Sequence, residues 1–236
     1  MSGHSKWNNI AKRKGANDAK KAAIFTKIGR KMAVAIKEGG SNNPDNNAKL
    51  RDCIAEAKAN NVPNDNIKRM LDKGNQSNVS YESNTYEGYG PSGIAVICET
   101  LTDNRNRTVA DVRHYFDKYG AGLGNAGCVS WQFEQKGVLI IERGDLDEDE
   151  TMMTVLDAGA DDFQADEDCF QIYTAPEDFS AVRDALTEAG FEFAQAEIQM
   201  VPQNTITLES QEDMAQLRKL LDSLEDNDDV QHVWHN

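Results

Sequence analysis

The chain has 236 residues, 39% of them hydrophobic and 28% charged, with a net charge of −15. That is long enough for two or three small domains and too apolar for a disordered chain, while no apolar run approaches the roughly 20 residues a membrane helix needs. The charge is segregated: up to Gln76 there are 16 basic and 7 acidic residues, and beyond it 9 and 33. Asymmetry of this kind points to a polyanion met through one end of the molecule.

Residues 1–7 (MSGHSKW) lack the apolar core of a secretory signal. Cys53, Cys98, Cys128 and Cys169 are widely spaced, without a C-x-x-C pair, inside apolar patterns. Reduced, buried thiols in a cytoplasmic protein are therefore expected. Residues 3–14 (GHSKWNNIAKRK) combine cations with His4 and Trp7. Cations meet phosphates and an indole can stack on a base. The competing reading is a solvated tail whose indole lies on the bundle.

From Asn17 to Lys37 the pattern predicts a helix, with Phe25, Ile28, Met32, Ala35 and Ile36 on one arc at about 100° per residue. Lys20, Lys27, Arg30, Lys31 and Lys37 fall on the opposite arc, and Gly39-Gly40 stop the helix. No acid lies between Asp18 and Glu38 to pair with these cations at i,i+4, which argues against mere solubilisation. The candidate nucleic-acid contacts are therefore Lys6, Trp7, Lys12, Arg13, Lys14, Lys20, Lys21, Lys27, Arg30 and Lys31. The basic helix offers mainly Lys, which suits phosphate backbones better than base edges.

A second helix is expected after Asn43-Pro44, with Leu50, Ile54 and Ala57 inward, and a third from near Val62-Pro63 to Gly74, packing Ile67, Met70 and Leu71. Residues 75–84 (NQSNVSYESN) are polar and aperiodic and read as a linker. Residues 88–93 match G-x-G-x-x-G by letters, but a phosphate-cradling loop needs a strand before it and a helix after it. A tight turn launching the first strand is the better reading.

Beyond it strands and helices alternate. Strands are expected at Ile94–Leu101, Cys128–Phe133, Val138–Glu142, Asp162–Ala165, Phe170–Thr174, Phe193–Met200, Thr205–Leu208 and Val230–Trp234. Helices are expected at Arg105–Lys118, Glu148–Ala158, Glu177–Ala189 and Gln211–Glu225, the last with Ser210 and Asp213 in capping-box spacing. The order is that of two ferredoxin-like βαββαβ units, either in tandem or one inserted in the other. Arg105, Arg107 and Arg113 offer a secondary anion contact, or else internal ion pairs. The acidic runs at 145–150, 161–168 and 225–229 lack calcium-loop spacing, and His4, His114, His232 and His235 form no zinc pattern. No residue set nominates itself as catalytic, and no cofactor, metal or small-molecule substrate is expected.

Several segments together resemble the YebC/PmpR family of bacterial regulators, which has mitochondrial relatives that activate translation. They are residues 3–7 (GHSKW), 18–30 (DAKKAAIFTKIGR), 39–50, 60–67, 86–93 (YEGYGPSG), 102–108 (TDNRNRT), 156–162 (LDAGADD) and 228–236 (DDVQHVWHN). The resemblance implies an α+β multidomain protein, with an N-terminal three-helix bundle and two α+β domains nested one inside the other. Its expected boundaries are 1–76 for the bundle, 77–85 for the linker, 86–135 with 203–236 for a discontinuous domain, and 136–202 for the insert. It also implies a non-enzymatic cytoplasmic role. The expected partner is DNA, as for a transcriptional regulator, or ribosomal RNA, as for a ribosome-associated factor that relieves stalling. A scaffold whose acidic domains bind a basic protein is the third reading.

Overall fold

The computed structural model of the chain describes residues 18–76 and 79–236, with side chains for 22–74 and 79–236. Among them, the helices are α1 (Asp18–Gly39), α2 (Ala48–Ala59), α3 (Asn64–Gln76), α4 (Arg105–Tyr119), α5 (Glu148–Asp157), α6 (Phe179–Glu188) and α7 (Gln211–Glu225). The strands are β1 (Glu82–Tyr89), β2 (Ala95–Thr102), β3 (Phe133–Glu142), β4 (Asp162–Ala165), β5 (Cys169–Thr174), β6 (Gln195–Pro202) and β7 (Val230–His235). The chain is α+β. It divides into two compact units, one built on Gln135–Met200, the other on Ala19–Ala57, Val62–Glu134 and Val201–Asn236.

In the discontinuous unit, α1 to α3 pack around Ile28, Met32, Ala35, Ile36, Leu50, Ala57, Val62 and Ile67, the apolar arcs read from the sequence. Each Ile, Leu, Met or Val side chain among these, removed from water, stabilises the bundle by about 1.5–3 kcal/mol, and each alanine by less. After Asn43-Pro44 the chain makes only a 3-10 turn, Pro44–Asn46, and the helix proper waits for buried Asn47. The Asn47 Oδ1 accepts from the Leu50 N–H and so caps α2, while its Nδ2 donates to the Ala35 and Ser41 carbonyls and ties the cap to the end of α1.

The same unit holds a three-stranded sheet of order β1-β2-β7, both pairings antiparallel. Ile94, Val96, Cys98 and Val230 pack on one face against Val112 and Phe116 of α4 and Leu220 and Leu224 of α7. The strand β1 corrects the linker expectation, because Glu82–Asn84 already pair with β2. Its first residues alternate polar side chains with no apolar face, so the periodicity that marks a strand is missing there. The glycine motif is the hairpin turn between β1 and β2. Pro91–Gly93 form one 3-10 turn, with positive φ at Ser92 (54°) and Gly93 (79°), closed by the Gly90 N–H to the Ile94 carbonyl at 2.7 Å. No helix follows, so no phosphate cradle exists.

Two expected strands are not formed. At 128–133 the chain makes a 3-10 turn, Ser130–Gln132, because the N–H groups a ladder would need are taken by a carboxylate. Glu87 accepts from Gly127, Val129 and Ser130 at 2.8, 2.9 and 2.8 Å. Strand β3 then runs unbroken from Phe133 through the expected Val138–Glu142. Residues 205–208 stay irregular, with only Leu208 reaching the core.

The inserted unit has the order β3-α5-β4-β5-α6-β6 and a sheet of order β4-β5-β3-β6, the ferredoxin-like arrangement. Its core is Leu139, Ile141, Val155, Phe170, Ile172, Phe179, Val182 and Leu186.

Candidate nucleic-acid interface

Of the sequence candidates, Lys6, Trp7, Lys12, Arg13 and Lys14 lie outside the described residues, and Lys20 and Lys21 are placed only as backbone positions in the first turn of α1. The next three are engaged within the chain. Lys27 Nζ donates to the Glu225 carbonyl at 2.6 Å, and burial, opposed by nearby acids led by Glu225, leaves its pKa below the ordinary lysine value. Arg30 Nη1 reaches the Asp229 carboxylate at 2.6 Å and the Leu101 and Asp228 carbonyls at 3.2 and 2.8 Å. Lys31 donates to Glu56 at 2.8 Å and to His232 Nε2 at 2.9 Å.

Asp229 is the centre of this arrangement. Its side chain is 4% exposed and receives Arg30, two nitrogens of Arg107 and the Thr108 hydroxyl, the last at 2.8 Å. Burial alone would raise its pKa; hydrogen bonds from Arg107, Thr108 and Arg30 outweigh it and hold the carboxyl below the usual range. Arg107 also pairs with Asp103 at 2.8 Å, and both bonds hold its guanidinium above its ordinary value. Arg107, though its side chain is 46% exposed, is thus held in ion pairs within the chain, while Arg105 and Arg113 are exposed along α4. Beside this network an open cleft of about 510 Å³ is lined by Asp103, Asp111, Tyr115 and the segment 226–229, with Arg30 and Arg107 already engaged by Asp229. Its acidity does not suit a phosphate.

The described cations that face solvent are different ones. Lys37, Arg51, Lys58, Lys68, Arg69 and Lys73 are exposed on the bundle, and Lys49 pairs with Glu38 at 2.6 Å. Along α3 the exposed arc carries Lys68, Arg69 and Lys73 opposite the buried arc of Ile67, Met70 and Leu71. In the sequence these cations are interspersed with Asp65 and Asp72, which blurs them as a basic run. Trp131, which is not among the sequence candidates, is 69% exposed with its indole N–H held by the Cys128 carbonyl at 3.0 Å. An indole in an apolar-looking stretch reads as core, and only the turn imposed by Glu87 turns it outward.

Burial pushes the Cys53 and Cys98 thiols up to about 12, so neither is a nucleophile near neutrality. Among the described residues no group of His, Cys, Asp and Glu could hold a metal ion, and no helix is long and apolar enough to cross a membrane.

Residues 5–77 match the family model of the TACO1/YebC protein N-terminal domain, and residues 81–236 that of the TACO1/YebC second and third domain. Relatives named "Probable transcriptional regulatory protein" are 57% identical in Clostridium tetani and 54% in Acetivibrio thermocellus. The matches cover all of this chain and 96% and 98% of those proteins. A crystal structure of a conserved hypothetical protein from Aquifex aeolicus is similar at a TM-score of 0.82 and 39% identity, covering 93% of this chain and 90% of that one. The two family models together account for nearly the whole chain, and it belongs to the TACO1/YebC family.

Proposed function

We propose that the chain is a non-enzymatic, cytoplasmic, nucleic-acid-binding regulator that acts as a DNA-binding transcriptional regulator through its basic N-terminal domain. The observation that carries this reading is the excess of 16 basic over 7 acidic residues up to Gln76, in a chain whose net charge is −15. The names of the Clostridium tetani and Acetivibrio thermocellus relatives support the transcriptional assignment. In this reading Lys6, Lys12, Arg13, Lys14, Lys20 and Lys21 contact phosphates and Trp7 stacks. Lys68, Arg69 and Lys73 extend the surface. Lys27, Arg30 and Lys31 act less directly, holding α1 through their acceptors in the same chain. Exposed Arg105 and Arg113 remain available as a secondary anion contact.

Binding of the full chain to a labelled duplex should fall steeply with salt, each phosphate contact adding roughly −0.9 to the slope of log K against log salt. Lys20→Glu with Lys21→Glu should reduce that slope by about 2. A slope near zero would end the proposal. The predominance of Lys over Arg among the exposed cations favours a second reading, contact with the backbone of ribosomal RNA by a factor that aids translation. Crosslinking in cells, followed by sequencing of the attached nucleic acid, separates the two. Promoter DNA supports the first and ribosomal RNA the second.

A further inference from the structure

A second feature carries a ligand class that the nucleic-acid reading does not touch. Residues 135–200 hold 18 acidic and 3 basic side chains, while the rest of the chain holds 22 of each. The whole net charge of the protein is therefore that of the inserted unit. At one end of this unit the β3–α5 loop and the α6–β6 loop enclose an open cleft of about 440 Å³. Its apolar wall is Leu146, Phe191, Phe193 and Ala194, and its acidic rim is Glu142, Asp145 and Glu192. The three carboxylates are exposed, and Leu146 keeps 40% of its surface in water. The cleft's single cation, Arg143, is already engaged. It donates to Glu148 at 2.9 Å and to the Asp166 carbonyl at 3.0 Å, with its guanidinium over the Phe170 ring.

Both walls are preformed. The Arg143 N–H donates to the Asp168 carbonyl, Leu146 to Arg143, Phe191 to Leu186 and Ala194 to Ile140, all at 2.7 to 3.0 Å. Gly144 and Gly190 turn the two loops at φ 45° and 92°, conformations in which other residues are strained. A preformed apolar wall beneath an anionic rim fits the side chain of a lysine or arginine, whose alkyl stem seeks apolar surface while its head stays charged. It repels phosphates and anionic lipid. A single small cation would leave Leu146 and the phenyl rings uncovered. We infer that this cleft docks a basic segment of a partner protein, an extended stretch in which Lys or Arg alternates with apolar residues.

The test uses the full chain and a fluorescein-labelled peptide, Gly-Lys-Leu-Arg-Leu-Lys-Gly, followed by fluorescence anisotropy near physiological salt. Replacing the rim (Glu142→Gln, Asp145→Asn, Glu192→Gln) should weaken binding by roughly tenfold or more. A control on the exposed face of α5, Met153→Ser with Leu156→Ser, should leave it within about twofold, as distant sites do. Neutralising three acids on or beside α6 (Asp178→Asn, Asp184→Asn, Glu188→Gln) measures the diffuse field. A loss there equal to the rim variant's overturns the site. So does undetectable binding by the unaltered chain, or equal binding of a peptide with Gln at every basic position. Amide shifts confined to 142–146 and 190–194 would support the placement, and shifts centred on α5 would overturn it. None of these variants touches the bundle, so nucleic-acid binding should persist in all of them.

Discussion

The two units use carboxylates in opposite ways. In the discontinuous unit, Glu87 and Asp229 are 6% and 3% exposed; Glu87 accepts from three backbone N–H groups, and Asp229 from Arg30, Arg107 and Thr108. In the inserted unit none of the 18 acids is fully buried, and only Asp166 and Glu197 are even half-buried. The first kind determines backbone: Glu87 turns a would-be strand into a turn, and Asp229 fastens α1 to the end of β7. The second kind makes a field around a fold that its apolar core already specifies. Acidic residues in one chain thus divide by desolvation, and composition alone cannot sort them.

The largest break in this comparison should come from Asp229→Ala. It removes the carboxylate shared by Arg30, Arg107 and Thr108 and should cost about 3 kcal/mol of stability in urea unfolding, the low end for one partner of a buried pair, because Arg107 is half exposed and keeps Asp103. A cost near zero would show that the network is ornamental. Glu87→Gln comes next. It sets an amide among three N–H donors and should cost about 1–3 kcal/mol, checked by the same measurement, with Trp131 moving as the turn relaxes.

Acid should find the same two groups. Burial raises the Glu87 pKa, but the backbone donors of Gly127, Val129 and Ser130 outweigh it, and the result, as for Asp229, lies below the usual value. Because the folded values are depressed, the unfolded chain takes up protons first as pH falls through about 4.3 for Glu and 3.9 for Asp. The stabilisation is complete above those values and is lost as pH drops through the lower folded ones. Glu87→Gln combined with Asp229→Asn should flatten the acid limb of a stability–pH profile.

Two small effects sharpen the contrast. Lys27→Met should change stability by less than about 1 kcal/mol, because burial already disfavours its charge and an apolar group of similar length fits the site. Asp161→Asn with Asp162→Asn, both exposed, should stay within about 0.5 kcal/mol by thermal melt.

Most of the fold is legible where apolar periodicity is strong. The arcs of α1 to α3, β4 at Asp162–Ala165 and α7 at Gln211–Glu225 follow from spacing and caps. Ser210 accepts from the Asp213 N–H, as the capping spacing implies. What escapes is set by partners remote in sequence. Strand β1 is specified by β2 rather than by its own polar residues, and the turn at 130–132 by a carboxylate some forty residues earlier. The charged face of α1 is legible as charge but not as destination. Nothing near Lys27, Arg30 or Lys31 in the sequence announces acceptors about two hundred residues downstream.

The turn that Glu87 imposes has an optical consequence. Trp131 stands in water with its N–H tethered, while the Trp234 ring lies stacked on His232 at 5.1 Å and 7°. Among the described residues these are two indole fluorophores of contrasting environment, and Trp7, the third in the sequence, lies outside them. In a Trp7→Phe background iodide should quench the first and spare the second, so that one emission spectrum reads the loop and the sheet separately.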